Sequence, residues 1–219
     1  MYAMPTRPQN PSAQDLQLYN FELLARNHFQ KLLKNNPNCV DTKKAMANDI
    51  AHLKKEREKI LRPAEARAIL ASYRANSEST SIEDKMGEKY RPTKALQKNL
   101  RAAGEMKPSS SHEAHHIICC KGRWDQAAVM RARLNLHFNG IGINDAKNGV
   151  WLFSNPSHKQ YDWATPDAPA HKTIHTKKYE SWLGENLGRK ELRDDRTLFI
   201  NELRIAKILI KDGNFPTLG

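Results

Sequence analysis

The residues of this sequence that are best suited to chemistry are its histidines. Seven of the nine lie between residues 112 and 175, about a third of the chain. Two of them, His115 and His116, are adjacent, and two more, His171 and His175, are four residues apart. Neutral imidazole ligates borderline divalent metals and also titrates near neutral pH, so it can serve as a metal ligand or as a general base. Metal-assisted cleavage of a phosphodiester uses both roles, because a base must take a proton from the attacking water.

The spacing of these histidines limits how they can share a site. Adjacent residues on a strand point to opposite faces, so His115 and His116 can meet only at a strand end, where the chain turns. Residues at i and i+4 lie one turn apart on a helix face, and we therefore expect His171 and His175 on one helix. Two imidazoles from that helix and one from the pair would supply three nitrogen ligands and leave a position open for water or phosphate. The other member of the pair is then free to act as the base.

Three motifs around these histidines resemble one known family. They are Glu113-Ala114-His115-His116-Ile117-Ile118, Gly140-Ile141-Gly142-Ile143-Asn144-Asp145-Ala146-Lys147-Asn148-Gly149-Val150-Trp151-Leu152, and His175-Thr176-x-x-Tyr179. In this order and spacing they resemble the AHH nuclease family over roughly residues 112–187. That family belongs to the HNH/endonuclease VII, or ββα-metal, superfamily and occurs mostly as the toxin domain of bacterial polymorphic toxins.

The resemblance implies a role for each of the motif residues. His115 resembles the metal-ligating histidine, and His116 the histidine that activates water. Asn148 matches the central asparagine of the superfamily, and it would orient the imidazole of His116 through its side chain or through the turn that it builds. His175 matches the metal ligand carried by the helix, and His171 fits a second helix ligand as in colicin-type DNases. The three proposed ligands, His115, His175 and His171, would hold one divalent ion, which could be Mg, Mn, Ni or Zn.

Two of these positions have an alternative interpretation. Asn148 precedes Gly149 and could be only the turn residue that an Asn-Gly pair often supplies. His158 competes with His171 as a metal ligand, because the polar loop of residues 154–169 could bring it to the ion.

Weaker indications come from other polar side chains. Lys172, Lys177 and Lys178 could follow phosphates beside the site, and they are equally well explained as solvated helix charges. Cys119 stands where many AHH sequences have proline, which concerns the local backbone and not the site. For His137 we prefer a buried histidine that hydrogen-bonds a carbonyl.

The composition favours a polyanionic partner. The formal charge is +12 and the pI is about 9.7. Basic residues outnumber acidic ones by 20 to 12 before Glu113 and by 16 to 12 from there on, so most of the excess lies outside the histidine-rich segment. A basic surface without a specific partner is the simpler alternative. The three cysteines form no disulfide framework or CxxC pair, and no apolar run resembles a signal peptide or a membrane span.

The apolar periodicity and the resemblance together predict a mainly α protein with a small ββα-metal (His-Me finger) catalytic core and a helical N-terminal half. Helices are expected at about residues 12–34, 42–60, 63–75, 93–103, 124–136 and 193–211, with a polar connection at 76–92 and a strand at 150–153. A further helix, with Pro169 in its first turn, would carry His171 and His175. The expected regions are a helical region 1–104, a linker 105–111, a nuclease core 112–188, and residues 189–219 with a C-terminal helix that packs on the body.

These observations predict a metal-dependent, largely sequence-nonspecific endonuclease that acts on DNA. The resemblance implies an antibacterial toxin made in the bacterial cytoplasm without a signal peptide, delivered by a specialised secretion system and paired with an immunity protein. Residues 1–104 would hold DNA or dock to the secretion apparatus. Two alternatives stay open. One is an RNase of the same fold, and the other is a non-catalytic nucleic-acid-binding protein whose histidine metal site is structural.

Overall fold

A computed structural model describes residues 4–11, 13–34 and 40–215. Within these ranges the protein is mostly helical, with one two-stranded antiparallel sheet. The helices are α1 (Ala13–Lys34), α2 (Val40–Ser79), α3 (Ile82–Gly87), α4 (Lys94–Ala102), α5 (Gln126–Phe138), α6 (Lys177–Leu187) and α7 (Arg196–Lys211). The strands are β1 (His112–His116) and β2 (Gly149–Phe153), and short 3₁₀ segments lie at Ala146–Asn148, Pro156–Tyr161 and Lys190–Leu192. No helix in these ranges combines the length and apolar character needed to cross a membrane.

Contacts divide the chain into two units, residues 1–68 and 69–219. The first unit contains α1 and the first part of α2, which are linked by a hydrogen-bonded pair of His28 and Asp49 at 2.9 Å. The second unit contains the last part of α2 and every element that follows it in the described chain. The linker between a helical region and a nuclease core, predicted at residues 105–111, stays a prediction.

The prediction of separate helices at residues 42–60 and 63–75 is wrong. A single helix, α2, runs through both, with Pro63 inside it. Proline removes one helical hydrogen bond and costs about 3 kcal/mol in a helix interior. Its neighbours on both sides are good helix formers with no turn residue among them. The Arg62 guanidinium also pairs with Glu58, four residues earlier, at 2.9 Å. The helix therefore continues through the proline.

Residues 76–92 are more structured than the polar connection predicted there. Helix α2 extends into this segment and α3 lies within it, with Ser81 as N-cap, whose Oγ accepts from the Asp84 N–H at 3.1 Å. The Lys85 ammonium is buried and donates to the His137 carbonyl at 2.8 Å. This bond fixes the segment on the end of α5.

The second unit is organised around the two-stranded sheet. Strands β1 and β2 pair antiparallel, from His112 opposite Phe153 to His116 opposite Gly149. A Cβ at Gly149 would lie 2.6 Å from Leu96 Cδ1, so the glycine permits the close approach of α4. A larger buried core joins the sheet to the remaining helices, with side chains of β2, α5, α6 and α7 that include Val150, Leu152, Val129, Leu136, Leu183, Leu187, Phe199, Leu203 and Ile210.

The helix predicted to carry both His171 and His175 begins later than expected. Helix α6 starts only after Thr176, whose Oγ1 accepts from the Tyr179 N–H at 3.1 Å and so caps it. The His171 N–H donates to the Phe153 carbonyl at 2.7 Å, which continues the backbone bonding of β2. The prediction of one helix for the two histidines is therefore wrong, because Thr176 provides a stronger helix start than the residues around position 168.

The buried imidazole of His137 gives a pH-dependent stability. Its Nδ1 lies 3.0 Å from the Ile141 carbonyl, and its Nε2 accepts from Arg133 Nε at 3.2 Å. Burial lowers the pKa of His137 to about 4, below the roughly 6.5 of an unfolded histidine. Between these values the unfolded chain binds more protons, so stability falls as the pH drops, by up to about 3 kcal/mol.

Urea unfolding at pH 7, 6 and 5 measures this effect. His137→Gln should be less stable than the wild type at pH 7, because the packing changes. It should also lose less free energy of unfolding between pH 7 and 5, because glutamine does not titrate. Equal losses in the two proteins would show that His137 is not the titrating group.

Candidate active site

Strand β1 ends at His116 because Asn148 takes over the backbone bonds that follow. The Asn148 carbonyl accepts from the Ile117 N–H at 2.8 Å. Its side-chain Oδ1 accepts from the Ile118 N–H at 2.8 Å, and its Nδ2 donates to the carbonyls of Ile118 and Ile143 at 3.1 and 2.9 Å. Asn148 is fully buried, so these bonds are shielded from water. The sequence predicted that Asn148 orients His116 either through its side chain or through the turn that it builds. In the structure the side chain bonds to the backbone of that turn.

His115, His171 and His175 converge although they come from different segments. The ring centroids of His115 and His171 are 5.2 Å apart, and those of His115 and His175 are 4.9 Å apart. Glu113 Oε2 lies 2.7 Å from His171 Nδ1. A carboxylate at this position keeps the proton on Nδ1 and leaves Nε2 free to ligate a metal. We expected one helix to bring His171 and His175 to the same site. In the structure both lie in the segment between β2 and α6.

His175 is fixed by the start of α6. The hydroxyl of Tyr179 is buried and donates to the Ile117 carbonyl at 2.7 Å, which ties α6 to the turn after β1. The indole Nε1 of Trp124 donates to the His175 carbonyl at 3.3 Å. The tyrosine of the His-Thr-x-x-Tyr motif therefore sets the distance between the helix and the strand end.

The four histidines line one cavity of about 630 Å³, which we call the histidine cavity. Its lining residues are Tyr90, Arg91, Pro92, Thr93, Ala114, His115, His116, Cys119, His171 and His175. Burial holds the pKa of His115 well below its usual range, and the imidazoles of His175 and His171 lower it further. Burial also lowers the pKa of His116 to about 4. Both rings are therefore neutral at pH 7, as a metal ligand or a general base must be.

The orientation of His116 is set by Asn144. His116 Nε2 lies 3.1 Å from Asn144 Oδ1. The Asn144 amide nitrogen donates to Glu88 Oε1 at 2.7 Å and to the Lys89 carbonyl at 2.9 Å, which leaves Oδ1 as the acceptor for His116. Glu88 is in turn held by the Tyr73 hydroxyl at 2.8 Å. The hydrogen of the His116 ring therefore lies on Nε2, and the lone pair lies on Nδ1.

Sequence reasoning missed three side chains at this site. Asn144 lies within the Gly140–Leu152 motif, and its presence there is the only signal that could have selected it. Glu88 and Arg91 fall in the polar segment 76–92, where nothing in the residue types distinguishes them from solvated side chains. Their importance comes from tertiary contacts with the residues around the histidines.

One group of possible metal ligands lies beside the histidines. Donor atoms of Cys119, His175 and Glu180 all lie within 4.8 Å of one another. The buried Glu180 carboxylate, however, already accepts three backbone N–H bonds from residues 123–125, at 2.6, 2.6 and 2.7 Å. Burial raises the pKa of Cys119 to about 11, so its thiol is protonated at pH 7. Of this group, the imidazole of His175, whose pKa is lowered by burial, is therefore the most available donor.

A second cavity, of about 320 Å³, adjoins the histidine cavity and shares four lining residues with it. Four of its side chains, Arg91, Lys121, Arg123 and Lys172, are basic, and we call it the basic cleft. Positive charge next to the histidine cavity favours binding of a polyanion whose backbone runs along the histidines.

Three candidate residues lie elsewhere. Lys177 and Lys178 are exposed in the first turn of α6 and line neither of these two cavities. His158 also lines neither, and its Nδ1 lies 3.3 Å from Asn155 Nδ2 in the polar loop. Of the lysines suggested as phosphate contacts, Lys172 is the one that lies beside the histidines.

A mostly helical chain with one small two-stranded antiparallel sheet is consistent with a small ββα nuclease fold, and nucleases of the HNH/endonuclease VII superfamily are metal-dependent. A family model for AHH, a nuclease family of this superfamily with a conserved Ala-His-His, matches residues 96–208, just over half of the chain. The chain belongs to the AHH nuclease family. No curated protein and no solved structure matches it. The match begins at Leu96, so Tyr73, Glu88 and Arg91 lie outside it.

Proposed function

We propose that this chain is a metal-dependent, largely sequence-nonspecific endonuclease that hydrolyses DNA phosphodiester bonds. The observation that carries the proposal is the position of His116. One nitrogen of its ring is fixed on Asn144, and the ring lines the same cavity as His115, His171 and His175. A general base beside a cluster of imidazoles that can ligate a metal is the arrangement that metal-assisted hydrolysis of a phosphodiester uses.

We assign the ββα-metal, or His-Me finger, core to β1, β2 and α6. His115, His171 and His175 would hold one divalent ion, since three imidazoles lining one cavity suit a borderline metal such as Ni or Zn. Mg and Mn remain alternatives. A bound ion would polarise the phosphoryl oxygen and stabilise the leaving oxygen.

The other residues position and deprotonate the attacking water. His116 presents the lone pair of Nδ1, which takes the proton from water, while Asn144 keeps the ring from rotating. Glu113 holds the ring of His171. Arg91 and Lys172 in the basic cleft bind the phosphates that flank the scissile bond. Contacts to phosphates carry no base information, which supports cleavage without sequence preference.

A substrate panel tests the choice of DNA. Supercoiled plasmid, linear duplex, single-stranded DNA and single-stranded RNA are incubated with the protein and each metal in turn. We expect nicking and then linearisation of the plasmid, with no preferred cut site in the duplex. Cleavage of RNA alone would reassign the chain as an RNase of the same fold.

We further propose that the nuclease is an antibacterial toxin, made in the bacterial cytoplasm and delivered into a competitor by a specialised secretion system. The support is the resemblance of the three sequence motifs to the AHH family, which occurs mostly as a toxin domain of bacterial polymorphic toxins. An acidic immunity protein that covers the basic cleft would neutralise it, because opposite charges favour such a complex. Residues 1–104 would hold DNA or dock to the secretion apparatus.

Metal titration separates the proposed ligands from the competing histidine. His171→Ala should weaken binding of one Ni²⁺ or Zn²⁺ by more than the roughly 10–100-fold that loss of a ligand's hydrogen-bond partner costs. His158→Ala is the matched control and should bind the ion as the wild type does, because that ring lies in the polar loop. Isothermal titration calorimetry measures both. Loss of binding in His158→Ala with retention in His171→Ala would reverse the assignment.

A further inference from the structure

A third cavity, of about 250 Å³, shares no lining residue with the histidine cavity or the basic cleft. Five basic side chains line it, and they come from three separate elements. Three of them follow one face of α7 at i, i+3 and i+7, one lies near the end of α2, and one lies on the 3₁₀ segment before β2. We call this cavity the α7 pocket, and its basic residues are Arg74, Lys147, Arg204, Lys207 and Lys211.

The carboxylates at this cavity leave a positive excess. Asp145 accepts two bonds from Arg74, at 2.8 and 3.0 Å. Glu105 accepts from Lys207 and lies 4.0 Å from Lys211. Five cations against these two anions leave a net charge of +3. The cavity therefore has more positive charge than its own carboxylates can neutralise.

Two of the cations have no anionic bond of their own in the part of the chain that the structure describes. Neither the Arg204 guanidinium nor the Lys147 ammonium makes an ion pair or a hydrogen bond to a described residue. The Lys207 side chain is only 13% exposed, and burial lowers its pKa. Burial lowers the pKa of Lys147 as well. Crowded, partly dehydrated cations of this kind are stabilised by an anion that enters among them.

We infer that the α7 pocket is a phosphate-binding site separate from the proposed active site. A concave site with net charge +3 favours a compact multivalent anion, and guanidinium groups such as that of Arg204 match the geometry of phosphate oxygens. Two sources share this chemistry, a free phosphate compound and the backbone of a bound nucleic acid. The inference does not depend on cleavage, because no residue of the histidine cavity takes part.

The pocket is also linked to the loop behind the active site. Lys147, which lines the pocket, and Asp145, which pairs with Arg74 of its lining, are neighbours of Asn144 and Asn148, the residues that hold His116 and the strand end. An anion bound in the pocket would therefore stabilise the loop that fixes the proposed base.

The test compares two double variants of the full chain in metal-free buffer. Arg204→Gln with Lys211→Gln removes two cations from the α7 pocket, and both residues are on the surface of α7. Arg131→Gln with Lys190→Gln removes the same charge from exposed positions on α5 and on the 3₁₀ segment Lys190–Leu192, outside all three cavities, and is the control. Calorimetry measures pyrophosphate binding, and fluorescence anisotropy measures binding of a duplex oligonucleotide at several salt concentrations. Circular dichroism checks that each variant is folded, and the single variants replace any double variant that is not.

Either of two results supports the inference and identifies the source. Pyrophosphate binding that is about tenfold weaker in the pocket variant and unchanged in the control would point to a free phosphate compound. No pyrophosphate binding, with a duplex salt dependence that falls by about two phosphate contacts in the pocket variant only, would point to nucleic acid. If the two variants behave alike with both ligands, the pocket has no special affinity for phosphate and the inference is wrong.

Discussion

Replacing His116 with alanine should lower the rate of metal-supported DNA cleavage by roughly 10²–10⁴-fold, the usual contribution of a general base. The reason is the arrangement of the ring. Its Nε2 is held by Asn144, and in the proposed mechanism its Nδ1 lone pair takes the water proton, so alanine removes the proposed base. Single-turnover cleavage of a labelled duplex, with protein in excess, measures the chemical step.

Three controls show whether the loss concerns the chemistry. His116→Ala should bind duplex DNA in EDTA as tightly as the wild type, because the basic cleft is intact. It should also still bind one metal ion, because His115, His171 and His175 remain. His158→Ala should cleave at the wild-type rate. If His116→Ala retains the wild-type rate, His116 is not the base and the proposed mechanism is wrong.

Replacing Asn148 with alanine should destabilise the protein by about 3 kcal/mol or more. The change removes three side-chain hydrogen bonds and leaves the Ile118 N–H and the carbonyls of Ile118 and Ile143 unpaired in a buried region. Each buried polar group without a partner costs about 1–3 kcal/mol. Urea unfolding measures the difference, with an unchanged denaturant slope as evidence that the folded state is the one affected.

Asn201→Ala provides the matched control for this substitution. Asn201 is exposed on α7, where alanine is a better helix former, so we expect a change within about 0.5 kcal/mol. A loss below about 1 kcal/mol for Asn148→Ala would mean that water or a shifted neighbour replaces its bonds. Asn148 would then be only the turn residue that its Asn-Gly sequence suggests.

Local signals predicted the two strands well. Adjacent histidines can share a site only at a strand end, and β1 does end at His116. The Asn-Gly turn signal before an apolar run predicted the second strand, and β2 begins at Gly149. Both results depend on residues within a few positions of each other, which is the range over which strand alternation and turn chemistry act. Membership of the AHH family, inferred from the same motifs, is confirmed.

Residue spacing gave wrong predictions where more than one local structure fits the same spacing. His171 and His175 are four residues apart, which fits one helix face, yet a loop before Thr176 brings both rings to His115. Pro63 indicated a helix start, yet α2 continues through it. In each case the sequence pattern was present, but a competing local preference determined where the helix begins or ends.

The network behind the proposed base could not be predicted from local patterns. Glu88 contacts Asn144 across 56 positions of sequence, and Asn144 contacts His116 across 28. These bonds exist because buried Lys85 fixes α3 on α5. The residue types of the polar segment 76–92 do not predict that packing. Long-range contacts of this kind follow from the assembled core.

Plasmid cleavage by the purified protein tests the central claim most directly. Supercoiled DNA is incubated with Mg²⁺, Mn²⁺, Ni²⁺ or Zn²⁺, and with EDTA as the metal-free control. We predict nicking with at least one of these metals, none with EDTA, and none above background for His116→Ala. A wild-type protein that binds the DNA and leaves it intact with every metal, and RNA as well, would contradict the account and indicate a nucleic-acid-binding protein with a structural histidine site.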